Sequence, residues 1–168
     1  MGNLERFAES AKKELASTIK GYLNYSTPED RKKTDQNLRK FLLAKLDSAN
    51  RRLPEFEKQM QGKTDKTISE AFKRVVSGLS MLLNSLKNPC YVDQAFFGKT
   101  NLQSEILSQL YDHDKQLLEQ VGIFEDEFKQ LDTNEKNQEL TEFLNHLYDL
   151  TDGLNQILTE REFLFMGD

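Results

Sequence analysis

The stretch TISEAFKRVVSGLSMLLNSL, residues 67–86, decides the fold. Its large apolar side chains, Ile68, Phe72, Val75, Leu79, Leu82 and Leu86, recur in steps of three and four. On a helix with 3.6 residues per turn those steps keep one stripe pointed at a core. A strand would need alternation in steps of two. The next clear run is Ile106, Leu110, His113, Leu117, Val121, Phe124, Phe128 and Leu131. Three further stripes follow the same rule: Leu4, Ala8, Ala11, Leu15, Ile19 and Tyr22; Leu38, Leu42, Leu46, Ala49, Leu53, Phe56 and Met60; and Leu140, Phe143, Leu144, Leu147, Leu150, Leu154, Ile157 and Leu158.

These patterns predict an all-α fold, an antiparallel up-and-down bundle of four to five long amphipathic helices. A length of 168 residues predicts one domain, 1–168, able to bury a core without metal or disulfide staples. Mean hydropathy is low at -0.70, but its apolar residues are ordered into stripes, so the chain reads as folded rather than disordered.

Boundary signals divide the chain. The first helix is expected from about Asn3 to Tyr25. Thr27-Pro28-Glu29-Asp30 opens the second: the threonine hydroxyl caps free amides, proline fits the first helical position, and the acids face the positive helix end. Pro54 falls inside that helix and predicts a kink or break near Arg51 to Leu53. Thr67 with Glu70, and Thr100 with Gln103, have capping-box spacing for the third and fourth helices. Asn88-Pro89 stops the third, and Asp132 to Glu135 forms the turn before the fifth. Two apolar segments stand outside the expected helices. One is a connecting loop, 88–99, with Cys90, Phe96 and Phe97; the other is a tail, 161–168, with Phe163 and Phe165.

Charge is unevenly distributed. Through Lys66 there are 15 basic and 10 acidic residues, and beyond it 8 and 18. The net charge of -5 disfavours a general nucleic-acid binder. A basic and an acidic half would attract one another, either within the bundle or between two copies. The lone Cys90 cannot form an internal disulfide and fits a reducing, cytoplasmic setting. No run approaches the ~18 apolar residues of a membrane span.

Few residues suggest chemistry. His113 sits on an apolar stripe beside Asp112 and Asp114. The fifth helix carries Glu139, Glu142, His146, Asp149 and Asp152 near one face, the types a carboxylate–imidazole metal site uses. The Glu-x-x-His pattern of di-iron bundles is missing, because Phe143 and Leu110 precede His146 and His113 by three. A solvated helix flank is the plainer account and no cofactor is expected, with a metal-dependent helical-bundle enzyme using these residues and His113 as an alternative. Five amphipathic helices in a chain of this size resemble exchangeable apolipoprotein bundles in architecture alone, with no shared motif. Reversible lipid-surface binding is an alternative because the helices are amphipathic along their whole length. The expectation carried forward is a non-enzymatic interaction module, self-associating or bound to a protein partner. Its contact residues would be Phe96, Phe97, Phe163 and Phe165, with the basic Arg31, Lys32, Lys33, Arg39 and Lys40.

Overall fold

The computed structural model describes residues 2–62, 65–89 and 102–166. Five helices carry the chain: α1 (Asn3–Thr18), α2 (Pro28–Met60), α3 (Lys66–Lys87), α4 (Ser104–Lys129) and α5 (Asn137–Met166). The protein is an all-α helical bundle, as the periodicity requires.

Cross-helix contacts fix directions. Arg39 near the start of α2 reaches the carbonyls of Ser85 and Leu86 at the end of α3. Arg74 and Asn155 link α3 and α5 with both helices ascending: Arg74 meets Asn145, and Asn155 meets the Gly78 carbonyl. Arg161 meets Asp114, so the end of α5 lies beside the start of α4. Lys45 pairs with Glu125, and Thr133 donates to Gln59, so α2 and α4 descend together. Direction therefore alternates from α2 to α5. The order around the bundle is α2, α3, α5, α4, with α2 diagonal to α5.

The apolar stripes meet inside. Leu38, Leu42, Leu46, Leu79, Leu82, Leu117, Phe124, Leu144, Leu147 and Leu154 are all buried. Gly78 allows close packing of α3 on α5, since a Cβ there would lie 2.4 Å from Thr151 Oγ1. Thr27 caps α2 as expected, its hydroxyl accepting from Asp30 N at 3.2 Å.

Four boundaries differ from expectation. First, α1 stops at Thr18, not near Tyr25. Ile19 is extended and Gly21 has a φ of 80°, a left-handed conformation that glycine adopts without a Cβ penalty. The chain then runs back along α2: the Gly21 carbonyl accepts from Asn37, the Asn24 amide donates to Thr34, and the Tyr25 carbonyl accepts from Arg31. Second, of the kink or break expected near Pro54 the break does not occur: α2 runs uninterrupted from Pro28 to Met60. One missing donor is outweighed by the burial of Leu53, Phe56 and Met60 around it. Third, Asp65 rather than Thr67 caps α3, accepting from the Thr67 amide at 2.9 Å. Fourth, the expected tail is helix: α5 runs to Met166 and Phe165 is buried in the core. The expected loop contacts Phe96 and Phe97, with Cys90 and Thr100, lie outside the described residues.

Candidate functional site

Where α2 and α4 begin and α5 ends, the leucine layers give way to a layer of charge. Arg161 follows Leu154 and Leu158 on the buried stripe of α5, and is itself 0% exposed. Its Nε donates to Asp114 Oδ1 at 2.5 Å, one Nη donates to Asp35 Oδ1 at 2.7 Å, and the other to the Tyr25 hydroxyl at 2.7 Å. Its guanidinium also lies 4.8 Å from the ring centroid of Phe165. Asp114 receives two more bonds on Oδ2, from the hydroxyls of Tyr22 at 2.6 Å and Tyr25 at 2.5 Å.

Asp35 continues the layer. Its Oδ2 accepts from Arg39 Nε at 3.1 Å. Arg39 donates onward to Glu162 at 3.1 Å and to the Ser85 carbonyl at 2.8 Å. That last contact satisfies a terminal carbonyl of α3 with a cation placed at the negative helix end. The Arg31 Nε donates to the Tyr25 carbonyl at 2.7 Å, holding the extended segment against α2. Burial pushes the hydroxyls of Tyr22 and Tyr25 well above the usual tyrosine range, and Asp114 adds to both shifts. Among the described residues, no buried side-chain nitrogen or oxygen lacks a hydrogen bond. Saturated donors and acceptors, sealed from water, make this layer a structural fastening of α2, α4, α5 and the 19–27 segment rather than a place where a substrate docks.

This layer corrects part of the expected contact surface. Arg31 and Arg39, expected to face a partner, are buried, whereas Lys32, Lys33 and Lys40 are exposed. Phe165 is buried, whereas Phe163 is 62% exposed. The buried charges do follow the helical rows. Extending Leu42 and Leu38 backward by the same steps reaches Asp35 and Arg31, and extending Leu158 forward reaches Arg161 and then Phe165. On α4 the buried member of the row is Asp114, not His113. A charge in a leucine row was the signal.

The metal-type residues do not converge. Glu139, Glu142, His146, Asp149 and Asp152 are all exposed, and their 13-residue span covers about 20 Å of helix. His113 Nδ1 lies 2.7 Å from the Gln109 carbonyl, and Nε2 is 3.7 Å from Glu160. His146 lies 14 residues before Glu160, so the two histidines are about 21 Å apart along α5. Among the described residues, no group of three or more His, Cys, Asp or Glu is placed to hold a metal ion. A cleft between α2 and the 131–134 turn contains Arg52, but its guanidinium is stacked on Phe56 and Phe128, with Glu55 and Asp132 nearby.

Comparison of the chain with family models, with curated proteins and with solved structures finds no match.

Three exposed apolar side chains line one seam. Met81, Phe163 and Met166 are 56%, 62% and 41% exposed. Met81 is three and seven residues after Gly78 and Arg74, both of which contact α5. Met166 is 11 residues, three turns, after Asn155, and Phe163 is 18 residues, five turns, after Asn145. Asn155 and Asn145 are the α5 partners of Gly78 and Arg74, so all three apolar side chains flank the α3–α5 seam.

Proposed function

We propose that this chain is a non-enzymatic, all-helical interaction module that binds another polypeptide through the outward faces of its bundle. One observation carries the reading. The last turn of α5 is anchored by fully buried Arg161 and by Phe165, yet presents Phe163 and Met166 to solvent on the α3–α5 seam that exposed Met81 also flanks. A rigid helix end with large apolar side chains kept outside is the feature expected of a contact patch, because water penalises that area until a partner covers it.

The test is a pull-down from native cells with full-length protein and with the double variant Phe163→Ser, Met166→Ser. Both substitutions lie at exposed positions, so the variant keeps its helical circular dichroism and thermal midpoint. A captured polypeptide, or a second copy of the chain, that is retained by wild type and lost by the variant supports the reading. Equal capture by both, or capture by neither with no self-association, refutes it. Deleting the whole segment from Phe163 would not test the idea, since it also removes buried Phe165.

A further inference from the structure

Resting on that reading, we infer that one polypeptide bound by this bundle is a second copy of itself, with the acidic outer row of α5 on one copy seated against the basic outer row of α2 on the next. The evidence is complementarity that a single molecule cannot satisfy. Between Asn137 and Met166 the only Lys or Arg is Arg161, which is buried. The outward side of α5 therefore carries Glu142, Asp149 and Glu160 with no Lys or Arg between them, and Phe163 continues the same row. The outward side of α2 carries Lys33, Lys40, Arg51 and Lys58, all exposed. Among the described residues, Lys33, Lys40 and Lys58 form no ion pair, and Arg51 pairs only with Asp47 in its own helix.

The two rows share a ruler. Glu142, Asp149 and Glu160 are separated by 7 and 11 residues, and so are Lys33, Lys40 and Arg51. Seven and eleven residues are about 10 and 17 Å of helix, close to two and three whole turns, so each row stays on one side of its helix. Because α2 and α5 occupy diagonal corners, their outer rows face opposite sides of the molecule. They cannot meet within one chain, and a two-fold pair cannot satisfy both rows at once. The contact is heterologous, head to tail, and each copy added leaves one row of each sign open.

Sedimentation velocity on the full chain tests this, with two neutralised variants. One carries Lys33→Gln, Lys40→Gln, Arg51→Gln and Lys58→Gln; the other carries Glu142→Gln, Asp149→Asn and Glu160→Gln. Every position is exposed, and circular dichroism checks that both variants fold. Wild type is expected to form a concentration-dependent ladder at ~0.02 M salt that dissolves by ~0.5 M, where screening extends over only a few ångströms. Each variant alone sediments as a monomer. Mixed, they form a 1:1 pair and stop there, because one retains only the acidic row and the other only the basic row. Monomeric wild type at low salt overturns the proposal, as does association that salt strengthens, a wild type that stops at a dimer, or variants that associate alone. If it fails while the pull-down still captures a different polypeptide through Phe163 and Met166, the interaction reading stands and only the second copy is excluded.

Discussion

Replacing Asp114 with asparagine should cost this protein more than any surface charge change. The substitution keeps shape and leaves an oxygen for the Tyr22 and Tyr25 hydroxyls, but removes the negative charge facing Arg161 Nε. The amide then either turns its NH2 toward that donor or takes the oxygen away from the tyrosines. Arg161 is fully buried and cannot recover its hydration. Breaking a buried pair from one side costs about 3–5 kcal/mol. Since Arg161 keeps Asp35 at 2.7 Å, the lower end applies, about 3 kcal/mol. For a chain of this size that lowers Tm by roughly 6–12 °C. Urea titration followed by circular dichroism would give the free energy, and thermal melts the midpoint. A cycle with Arg161→Met completes the measurement, because the double variant removes both charges and should lose less than the sum of the single changes. The exposed Asp47–Arg51 pair serves as control and should move neither reading measurably. A loss below about 1 kcal/mol for Asp114→Asn, or strict additivity in the cycle, would show that the layer is not energetically coupled.

Alkaline pH should unfold the bundle. The folded-state pKa values of Tyr22 and Tyr25 are raised, first by burial, so the folded state holds protons that the unfolded chain releases near pH 10. Stability is therefore intact below about pH 10 and falls as pH rises further, by roughly 2.7 kcal/mol per pH unit for the two groups. Tyrosinate absorbance reads this cleanly because the chain has no tryptophan, and a smooth titration near pH 10 with no unfolding would contradict it. Gly153→Ala should stabilise by about 0.5–1 kcal/mol, since a Cβ there meets nothing within 4 Å, whereas Gly78→Ala should destabilise by about 1–3 kcal/mol through its clash with Thr151. Opposite signs in thermal melts are the check. Pro54→Ala restores a donor to an intact, exposed helix position and should raise Tm, by an amount bounded by the ~3 kcal/mol helix penalty of proline. Phe165→Ala should cost about 3–5 kcal/mol in chemical denaturation while Phe163→Ala leaves stability near wild type, separating the core residue from its exposed neighbour.

The helices were legible because each stripe repeats over many turns, so a single polar residue did not obscure the period. The ends were harder to read. Tyr22 continues the α1 spacing, and only the backbone reversal at Gly21 shows that it reaches the core from an extended segment instead. Phe163 and Phe165 look alike in sequence. Their separation into outside and inside depends on α5 continuing to Met166, which the expected tail did not allow. The ionic layer is hidden in the sequence because Arg31, Arg39 and Lys40 belong to one basic stretch of α2. Their spacing relative to Leu38 and Leu42 sends the two arginines inward and the lysine outward. Which acid meets which base is long-range information: Arg161 and Asp35 are 126 residues apart, and nothing local links them.

That separation bears on how the molecule assembles. Before α5 docks, α2 and α4 would bring Asp35 and Asp114 together at a site whose bridging cation has yet to arrive. Two carboxylates in a drying interior repel, so the four-helix fragment resists closing at this level. Arg161 relieves that repulsion and in the same step recruits Tyr25 from the segment before α2. Closure at this end thus depends on residues from both halves of the chain arriving together, which gives the bundle an all-or-none last step and leaves partly assembled forms with a reason to stay open.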